Sequence, residues 1–237
     1  GGSIEVSGLR HVEIFGTTDA SAPNGDAGTL VIDPSNVTLA NVGGTGDWIP
    51  GGGPPYSQFN PAMDDAVADI AILLQSLQNN NVTITTMNGA GSQLGDITVA
   101  DPLNLDGTGG RQLNLQAGHD ILVNAAIGDL VPATADATAL NLVANNDITI
   151  NAPIDTGGGM LSIDATGDVA VNDDITTDGG TLVSGGGDFT SAAGAAIATG
   201  GGDVILTGHS GAVTVNDTID TTGGAGGQIR ISGSSIS

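Results

Sequence analysis

The 237-residue sequence contains no cysteine, only 2% aromatic residues, and just 3 lysine and arginine residues against 26 acidic residues. The absence of cysteine excludes a disulfide framework and thiolate metal sites. No run of 18 apolar residues occurs, so we expect no membrane insertion. The net charge of -23 would repel nucleic acid and anionic lipid, and we expect neither as a partner.

Almost all of the acidity is aspartate, because only Glu5 and Glu13 are glutamate and 26 − 2 leaves 24 aspartates. Aspartate favours tight turns, so a fold with many turns accounts for most of this charge. Glycine contributes 40 residues, yet 39% of the chain is apolar. That apolar content is too high for a disordered chain. The glycines follow no Gly-x-y triplet, which excludes collagen.

One phrase recurs along the second half of the chain. At 113–127 it reads Leu-Asn-Leu-Gln-Ala-Gly-His-Asp-Ile-Leu-Val-Asn-Ala-Ala-Ile, and it returns at 140–154 and 161–175. Weaker copies follow, and the closing isoleucines lie at 127, 154, 175, 197 and 219, with steps of 27, 21, 22 and 22 residues. A regular step of this size indicates a repeat protein.

The short alternating apolar runs in each copy predict strands, and the Gly, Asn and Asp clusters between them predict turns. Three short strands per coil, without a helix between them, are typical of a parallel β-helix. In that fold each strand pairs with its copy one coil on, at about 4.8 Å. We therefore predict one all-β solenoid over residues 1–237, with coils of about 21–27 residues.

Equivalent residues stack in such a solenoid, so the five closing isoleucines should form one interior column. Equivalent asparagines should form a ladder at a corner, where their amides bond along the axis: Asn124, Asn151, Asn172 and Asn216. The copy at 181–197 is degenerate, with Ser184 and Ser191 in the places of Ile and Asn. We expect it to be the least stable coil.

Residues 41–80 interrupt the pattern with a Gly/Pro-rich loop. Asn60-Pro61 can then serve as N-cap and first helical residue. The apolar residues that follow have steps of 4, 3, 4 and 3: Met63, Val67, Ile70, Leu74 and Leu77. This spacing predicts an amphipathic helix of about 17 residues, packed on a flank of the β-helix. The insert is therefore predicted as a loop plus one short helix.

Three aromatic residues, Trp48, Tyr56 and Phe59, precede the predicted helix. Aromatic side chains can stack on sugar rings, so they form a candidate recognition surface for glycans. The alternative interpretation is that they pack on the shaft together with the helix.

Carbohydrate-cleaving enzymes are also built on β-helices, and paired carboxylates can supply their acid and base. The densest candidate is Asp173-Asp174, with Asp155 and Asp178 on neighbouring coils. We interpret these residues as turn residues and expect no catalysis. A carbohydrate-binding or carbohydrate-cleaving β-helix is the alternative.

Metal binding has weak support in the sequence. His11, His119 and His209 lie several coils apart and are not expected to share a metal. The Asp-rich and Asn-rich corners make calcium a candidate ligand. The period differs from that of the nonapeptide calcium-binding repeats, so we expect no cofactor.

The order of segments resembles a known family. Gly-Gly-Ser-Ile-Glu-Val-Ser-Gly (1–8) precedes Asp-Pro-Ser-Asn-Val-Thr-Leu (33–39), the insert, Asn-Val-Thr-Ile-Thr-Thr (81–86) and Gly-Asp-Ile-Thr-Val (95–99). With the recurring Asp-Ile-x-Val-Asn-x-x-Ile phrase, this is similar to the filamentous haemagglutinin family of two-partner secretion exoproteins, which includes the high-molecular-weight adhesins.

The resemblance implies a right-handed parallel β-helix, export through an outer-membrane two-partner secretion transporter, and an extracellular location at the bacterial cell surface. Host or matrix glycans would be candidate partners. The secretion domain of that family is not evident, and the chain begins Gly-Gly-Ser, so we expect an excerpt of a longer polypeptide. The expected function is a non-catalytic structural shaft of an adhesin or extracellular fibre.

A self-assembling filament subunit is a further alternative. Residues 226–233, Gly-Gly-Gln-Ile-Arg-Ile-Ser-Gly, echo residues 1–8 at an offset of 226 − 1 = 225 residues. We interpret this echo as a common type of coil, and a larger unit recurring along a fibre is the alternative. Unpaired strands at the two ends would favour end-to-end association.

Overall fold

The computed structural model describes residues 1–7, 19–22, 24–41, 48–51, 56–59, 65–87, 93–128 and 137–237. These residues form strands numbered β1 to β25 in chain order and one helix, α1 (Ile70–Leu77). Most strands belong to three parallel sheets, and each regular coil contributes one strand to each sheet.

The first sheet has nine strands, in the spatial order β1 (Ser3–Ser7), β2 (Thr29–Asp33), β7 (Asn81–Thr85), β10 (Gln112–Ala117), β13 (Ala139–Ala144), β16 (Leu161–Ala165), β19 (Leu182–Gly186), β22 (Val204–Gly208) and β25 (Ile229–Ser232). The second sheet has eight, in the order β6 (Asp65–Asp69), β3 (Asn36–Ala40), β8 (Ile97–Val99), β11 (Ile121–Val123), β14 (Ile148–Ile150), β17 (Val169–Val171), β20 (Phe189–Ser191) and β23 (Val213–Val215).

The third sheet has six strands, in the order β9 (Leu103–Asn104), β12 (Ile127–Gly128), β15 (Ile154–Asp155), β18 (Ile175–Thr176), β21 (Ile197–Ala198) and β24 (Ile219–Asp220). A separate antiparallel hairpin joins β4 (Trp48–Gly51) to β5 (Tyr56–Phe59). The predicted right-handed parallel β-helix with one short helix is confirmed.

The core follows from the alternation of side chains along each strand. In β10, for example, half-buried and buried residues alternate from Gln112 to Ala117. Since the strands pair in parallel and in register, the buried residues of successive coils stack. One such interior column contains Leu113, Leu140, Leu161, Leu182 and Val204, all fully buried.

The predicted isoleucine column is confirmed. Register pairs in the third sheet join Ile127, Ile154, Ile175, Ile197 and Ile219 in that order. The first four are at most 1% exposed, and Ile219 is half-buried at the end of the column. The 21-residue and 22-residue steps of the sequence are therefore single coils.

The predicted asparagine ladder forms over three coils. Asn151 Nδ2 donates to Asn124 Oδ1 at 2.9 Å, and Asn172 Nδ2 donates to Asn151 Oδ1 at the same distance. The assignment of Ser191 to the next asparagine place is wrong, because Ser191 pairs with Val171 and Ala192 follows it. Alanine has no side-chain amide, so Asn216 Nδ2 donates to the backbone carbonyl of Ser191 instead, at 2.8 Å.

The predicted 17-residue helix is wrong in its first half. Residues 65–69 form β6, which pairs in parallel with β3, and only eight residues from Ile70 are helical. Asp69 is the N-cap, and its Oδ1 accepts the amide hydrogens of Ala71 and Ile72 at 2.8 and 3.3 Å. The proposed cap at 60–61 lies outside the described residues.

Helix α1 connects β6 of the second sheet to β7 of the first sheet. In later coils a strand of the third sheet takes the place of this helix. Ile70, Leu73 and Leu77 are buried in the common core. Beyond the helix, Asn80 is fully buried: its Oδ1 accepts from Ala20 N at 2.6 Å and its Nδ2 donates to Ser76 O at 3.0 Å. The helix is therefore part of the core rather than an appendage on a flank of the β-helix.

The Gly-Gly breaks form the corner between the third and first sheets. Thr156, Thr177 and Thr199 are buried there, and each hydroxyl donates to the carbonyl of the glycine three residues on, at 2.5–2.6 Å. Successive coils approach closely at these glycines, since a Cβ on Gly180 would lie 1.9 Å from the Gly159 oxygen. Any larger residue would push the coils apart.

Candidate functional site on the aspartate corner

An aspartate column runs along the corner between the first and second sheets. One member of each coil directly precedes the second-sheet strand: Asp96, Asp120, Asp147, Asp168 and Asp188. Each Oδ1 accepts the backbone N–H of the equivalent residue one coil on. The donors are Asp120, Asp147, Asp168, Asp188 and Ala212, at 3.1, 3.0, 2.7, 2.8 and 2.7 Å.

The column begins at Asn36, whose Oδ1 accepts from Gly95 N and Asp96 N at 2.9 and 2.8 Å. Neighbouring carboxylates are one strand spacing apart, about 4.8 Å, so they repel one another. The charge-assisted bonds to backbone N–H groups offset that repulsion. The corner therefore joins successive coils and at the same time gives the rod a negative edge.

A more compact group lies at the first step of this column. His119 Nδ1 is 2.8 Å from Asp96 Oδ1 and 3.2 Å from Asp120 Oδ2, and the three side chains are 27–34% exposed. The hydrogen bond to Asp96 raises the pKa of His119, and the charge of Asp120 raises it further, while partial burial opposes both. The ring is therefore held close to two carboxylates that favour its protonated form.

Among the residues that the structure describes, this group could hold a metal ion, because its three ligand atoms lie within 4.8 Å of one another. The sequence alone did not place His119 beside Asp96. The sequence signal for this contact was the triplet Gly95-Asp96-Ile97, which returns one coil later as His119-Asp120-Ile121. The expectation of no cofactor, with calcium as the candidate ligand at the corners, stays a prediction.

The aspartates considered for acid–base chemistry do not form one cluster. Asp173 and Asp174 precede β18, whereas Asp178 follows it, so they lie at opposite ends of that strand. Asp173 Oδ1 accepts from Asp174 N and Asp174 Oδ1 accepts from Ala196 N, both at 2.8 Å. These bonds are those of turn residues, as interpreted from the sequence.

Asp155 is half-buried at the end of β15. Burial raises its pKa, a hydrogen bond from Gly157 N at 2.9 Å opposes the rise, and the nearby charge of Asp178 adds to it. Asp178 itself has a positive φ of 44°, which an aspartate tolerates in a tight turn. The pair therefore stores unfavourable electrostatic energy at the corner between the third and first sheets.

The aromatic candidates lie on the hairpin. Trp48 pairs with Phe59, whereas Tyr56 pairs with Gly51 at the other end of the hairpin. Strand β4 also lies against β6, the outermost strand of the second sheet. Their use as a recognition surface for glycans stays a prediction.

The histidines are separate where the structure describes them. His209 lies in a bend and its backbone N–H donates to Gly186 O at 2.6 Å, far along the rod from His119. His11 lies outside the described residues.

A cleft lies beside Arg111, between coils of the first sheet, and Asp26, Asn81 and Gln112 also line it. Arg111 Nε donates to Gln78 O at 3.3 Å. The cleft thus places one cation and one acid among neutral groups, without a pair of facing carboxylates.

Comparisons with known proteins returned no matching family model, no similar curated protein and no similar solved structure. In the described part of the chain, no helix has the length and apolar character needed to cross a membrane.

Proposed function

We propose that this chain is a stretch of the structural, non-catalytic shaft of a secreted bacterial surface adhesin or extracellular fibre. The observation that carries the proposal is the continuity of the stacked columns. Aliphatic, asparagine and aspartate columns all run along one axis, and each links a coil to its neighbours.

The polar columns support a mechanical role because their bonds run along the rod axis. The aspartate corner alone contributes five carboxylate-to-amide bonds between successive coils. Each such bond to a charged group is worth about 1.5–3 kcal/mol when fully formed and less at an exposed corner. A rod built in this way resists bending, and it holds whatever lies beyond it at a fixed distance.

The geometry also sets that distance. The first sheet has nine strands and therefore 9 − 1 = 8 inter-strand steps. At about 4.8 Å per step, the described coils extend roughly 38 Å along the axis. Adhesion to host or matrix glycans, export through an outer-membrane transporter and display at the cell surface belong to the same proposal, and the resemblance in sequence supports them.

The test is to pull the chain from its two termini in a force microscope. We expect coils to detach one after another, with length increments of about 21 or 22 residues times 3.3–3.6 Å. Extension at negligible force, without steps, would contradict a load-bearing shaft. Release of products from any polysaccharide by the purified chain would contradict the non-catalytic assignment.

Display is tested separately on intact cells that produce the parent protein. Added protease should remove the coils from the cell surface without lysis. Complete protection on intact cells, with digestion after lysis, would contradict an extracellular location.

A further inference from the structure

Of the five aspartates in the aspartate column, one follows a histidine. His119 directly precedes Asp120, whereas the other four aspartates follow Gly95, Asn146, Gly167 and Gly187. Asn146 Nδ2 donates to the aspartate of the preceding coil, Asp120 Oδ1, at 2.8 Å. His119 Nδ1 makes the equivalent contact with Asp96 at 2.8 Å, but it is also 3.2 Å from its own neighbour Asp120. The histidine therefore places a metal-binding nitrogen close to two carboxylates.

The spacing of the three ligand atoms suits a zinc ion. Zinc lies about 2.0–2.1 Å from a histidine nitrogen and about 2.0–2.2 Å from a carboxylate oxygen, so two ligand atoms of a tetrahedral site are about 3.3–3.6 Å apart. Here His119 Nδ1 is 2.8 Å from Asp96 Oδ1 and 3.2 Å from Asp120 Oδ2. All three atoms lie within 4.8 Å of one another. Small rotations of the side chains would bring them to the tetrahedral spacing.

The backbone and the neighbouring coil hold both carboxylates in place. Asp96 and Asp120 directly precede β8 and β11, which pair in register. Asp96 Oδ1 accepts from Asp120 N at 3.1 Å. Asp120 Oδ1 accepts from Asn146 Nδ2 and Asp147 N at 2.8 and 3.0 Å, so Oδ2 is the oxygen on the His119 side. Hydrogen bonds of this kind orient the carboxylates that bind metals in proteins.

The ligand types favour a transition metal over calcium. Calcium takes about six to eight oxygen ligands, whereas this group offers one nitrogen and two carboxylates. An imidazole nitrogen suits zinc and similar transition metals. The net charge of -23 attracts any divalent cation, so charge alone does not choose among them. The choice of metal therefore depends on His119.

We propose that Asp96, His119 and Asp120 bind one zinc ion, with water as the fourth ligand. The ion joins the coil of Asp96 to the next coil and offsets the repulsion between the two carboxylates. Zinc takes the place of any proton on His119 Nδ1, because a metal-binding histidine is neutral. This proposal departs from the expectation of no cofactor, which considered a metal shared among the three histidines, since the site needs only one. It does not depend on the shaft function.

The test is calorimetric titration of the full chain with Zn²⁺ in excess Ca²⁺, which occupies acidic surface sites in general. We expect one saturable zinc site per chain. His119→Asn keeps an amide that can bond to Asp96, as Asn146 bonds to Asp120, but it removes the ring nitrogen. It should weaken zinc binding about 100-fold or more, because loss of a residue that only supports a ligand already costs about 10–100-fold.

Two control variants separate this site from other acids and histidines. Asp96→Asn should weaken zinc binding about tenfold or more. Asp168→Asn makes the same charge change in the aspartate column, at a carboxylate that accepts from Asp188 N, and should leave zinc binding unchanged. His209→Asn removes a histidine far along the rod and should also leave it unchanged.

Thermal unfolding followed by circular dichroism gives a second measurement. Zinc that binds the folded chain raises its Tm, so the rise should occur in wild type and His209→Asn and be absent in His119→Asn. A folded wild type without a saturable zinc site in excess Ca²⁺ would overturn the inference. Equal zinc affinity of wild type and His119→Asn would do the same. Either result would leave the shaft function standing.

Discussion

Replacing Ile175 by aspartate perturbs the middle of the isoleucine column. Ile175 has no exposed surface and stacks between Ile154 and Ile197. Removing its buried apolar surface costs about 1.5–3 kcal/mol. An unpaired charge left in the core costs about 3–5 kcal/mol more. The total, about 4.5–8 kcal/mol, is comparable with the whole unfolding free energy of a typical domain.

Urea unfolding followed by circular dichroism measures this loss. Ile175→Ala should lie between wild type and Ile175→Asp, at about 2–5 kcal/mol. Ala170→Asp, at a half-buried outward place in the same coil, is the matched control and should cost about 1 kcal/mol or less. Equal losses for Ile175→Asp and Ala170→Asp would refute the interior column.

Three further predictions concern polar groups. Ser184→Val should raise the unfolding free energy by about 1–2 kcal/mol in urea titrations, because the Ser184 hydroxyl is buried without a hydrogen-bond partner between Ile163 and Leu206; a loss would show that the site is overpacked. The raised pKa of His119 stabilises the fold fully below pH 6.5, and this contribution is lost as the pH rises through the raised pKa. His119→Asn should therefore flatten the pH dependence of the unfolding free energy across that range. An unchanged pH profile would contradict the contact between His119 and the two carboxylates. Asp155→Asn should raise the unfolding free energy at neutral pH, because the raised pKa of Asp155 means that its charged form is unfavourable in the folded chain. This gain in stability should vanish below pH 3.8, where the carboxyl is protonated. A gain that persists in acid would have another cause.

The sequence was sufficient for the columns because two independent signals reflect the same geometry. Alternation along a strand fixes which side chains face inward, and the 21-residue or 22-residue step fixes which of them meet. Ile154 and Ile175 could therefore be paired without any knowledge of the structure. Asn124, Asn151 and Asn172 followed from the same step.

The insert was harder to predict, because its strand depends on a distant partner. Val67 fits a helical spacing with Ile70 and Leu74, but pairing with Thr38 of β3 determines its conformation. Asp69 then caps a helix that starts later than the apolar spacing suggests. Local spacing cannot report a pairing across about 30 residues of sequence.

The aspartate corner was missed for a related reason. In a single copy of the repeat, Asp120 has the appearance of an ordinary turn residue. Its carboxylate bonds instead to the backbone of Asp147, one coil away, and Asp96 from the preceding coil lies beside His119. The error at Ser191 is different. Counting residues along the degenerate coil placed Ser191 at the position equivalent to Asn172, but Ser191 pairs with Val171, one position earlier.

Engineered disulfides test the coil register most directly, because the chain has no cysteine of its own. Asn141 and Ser162 are register partners on adjacent strands, about 4.8 Å apart, within the range that a disulfide spans. Asp164 lies two residues further along, about 8 Å from Asn141 and beyond that range. We predict rapid oxidation of Asn141→Cys/Ser162→Cys and little of Asn141→Cys/Asp164→Cys. Equal or reversed oxidation of the two pairs would contradict the stacked coils on which the shaft function depends.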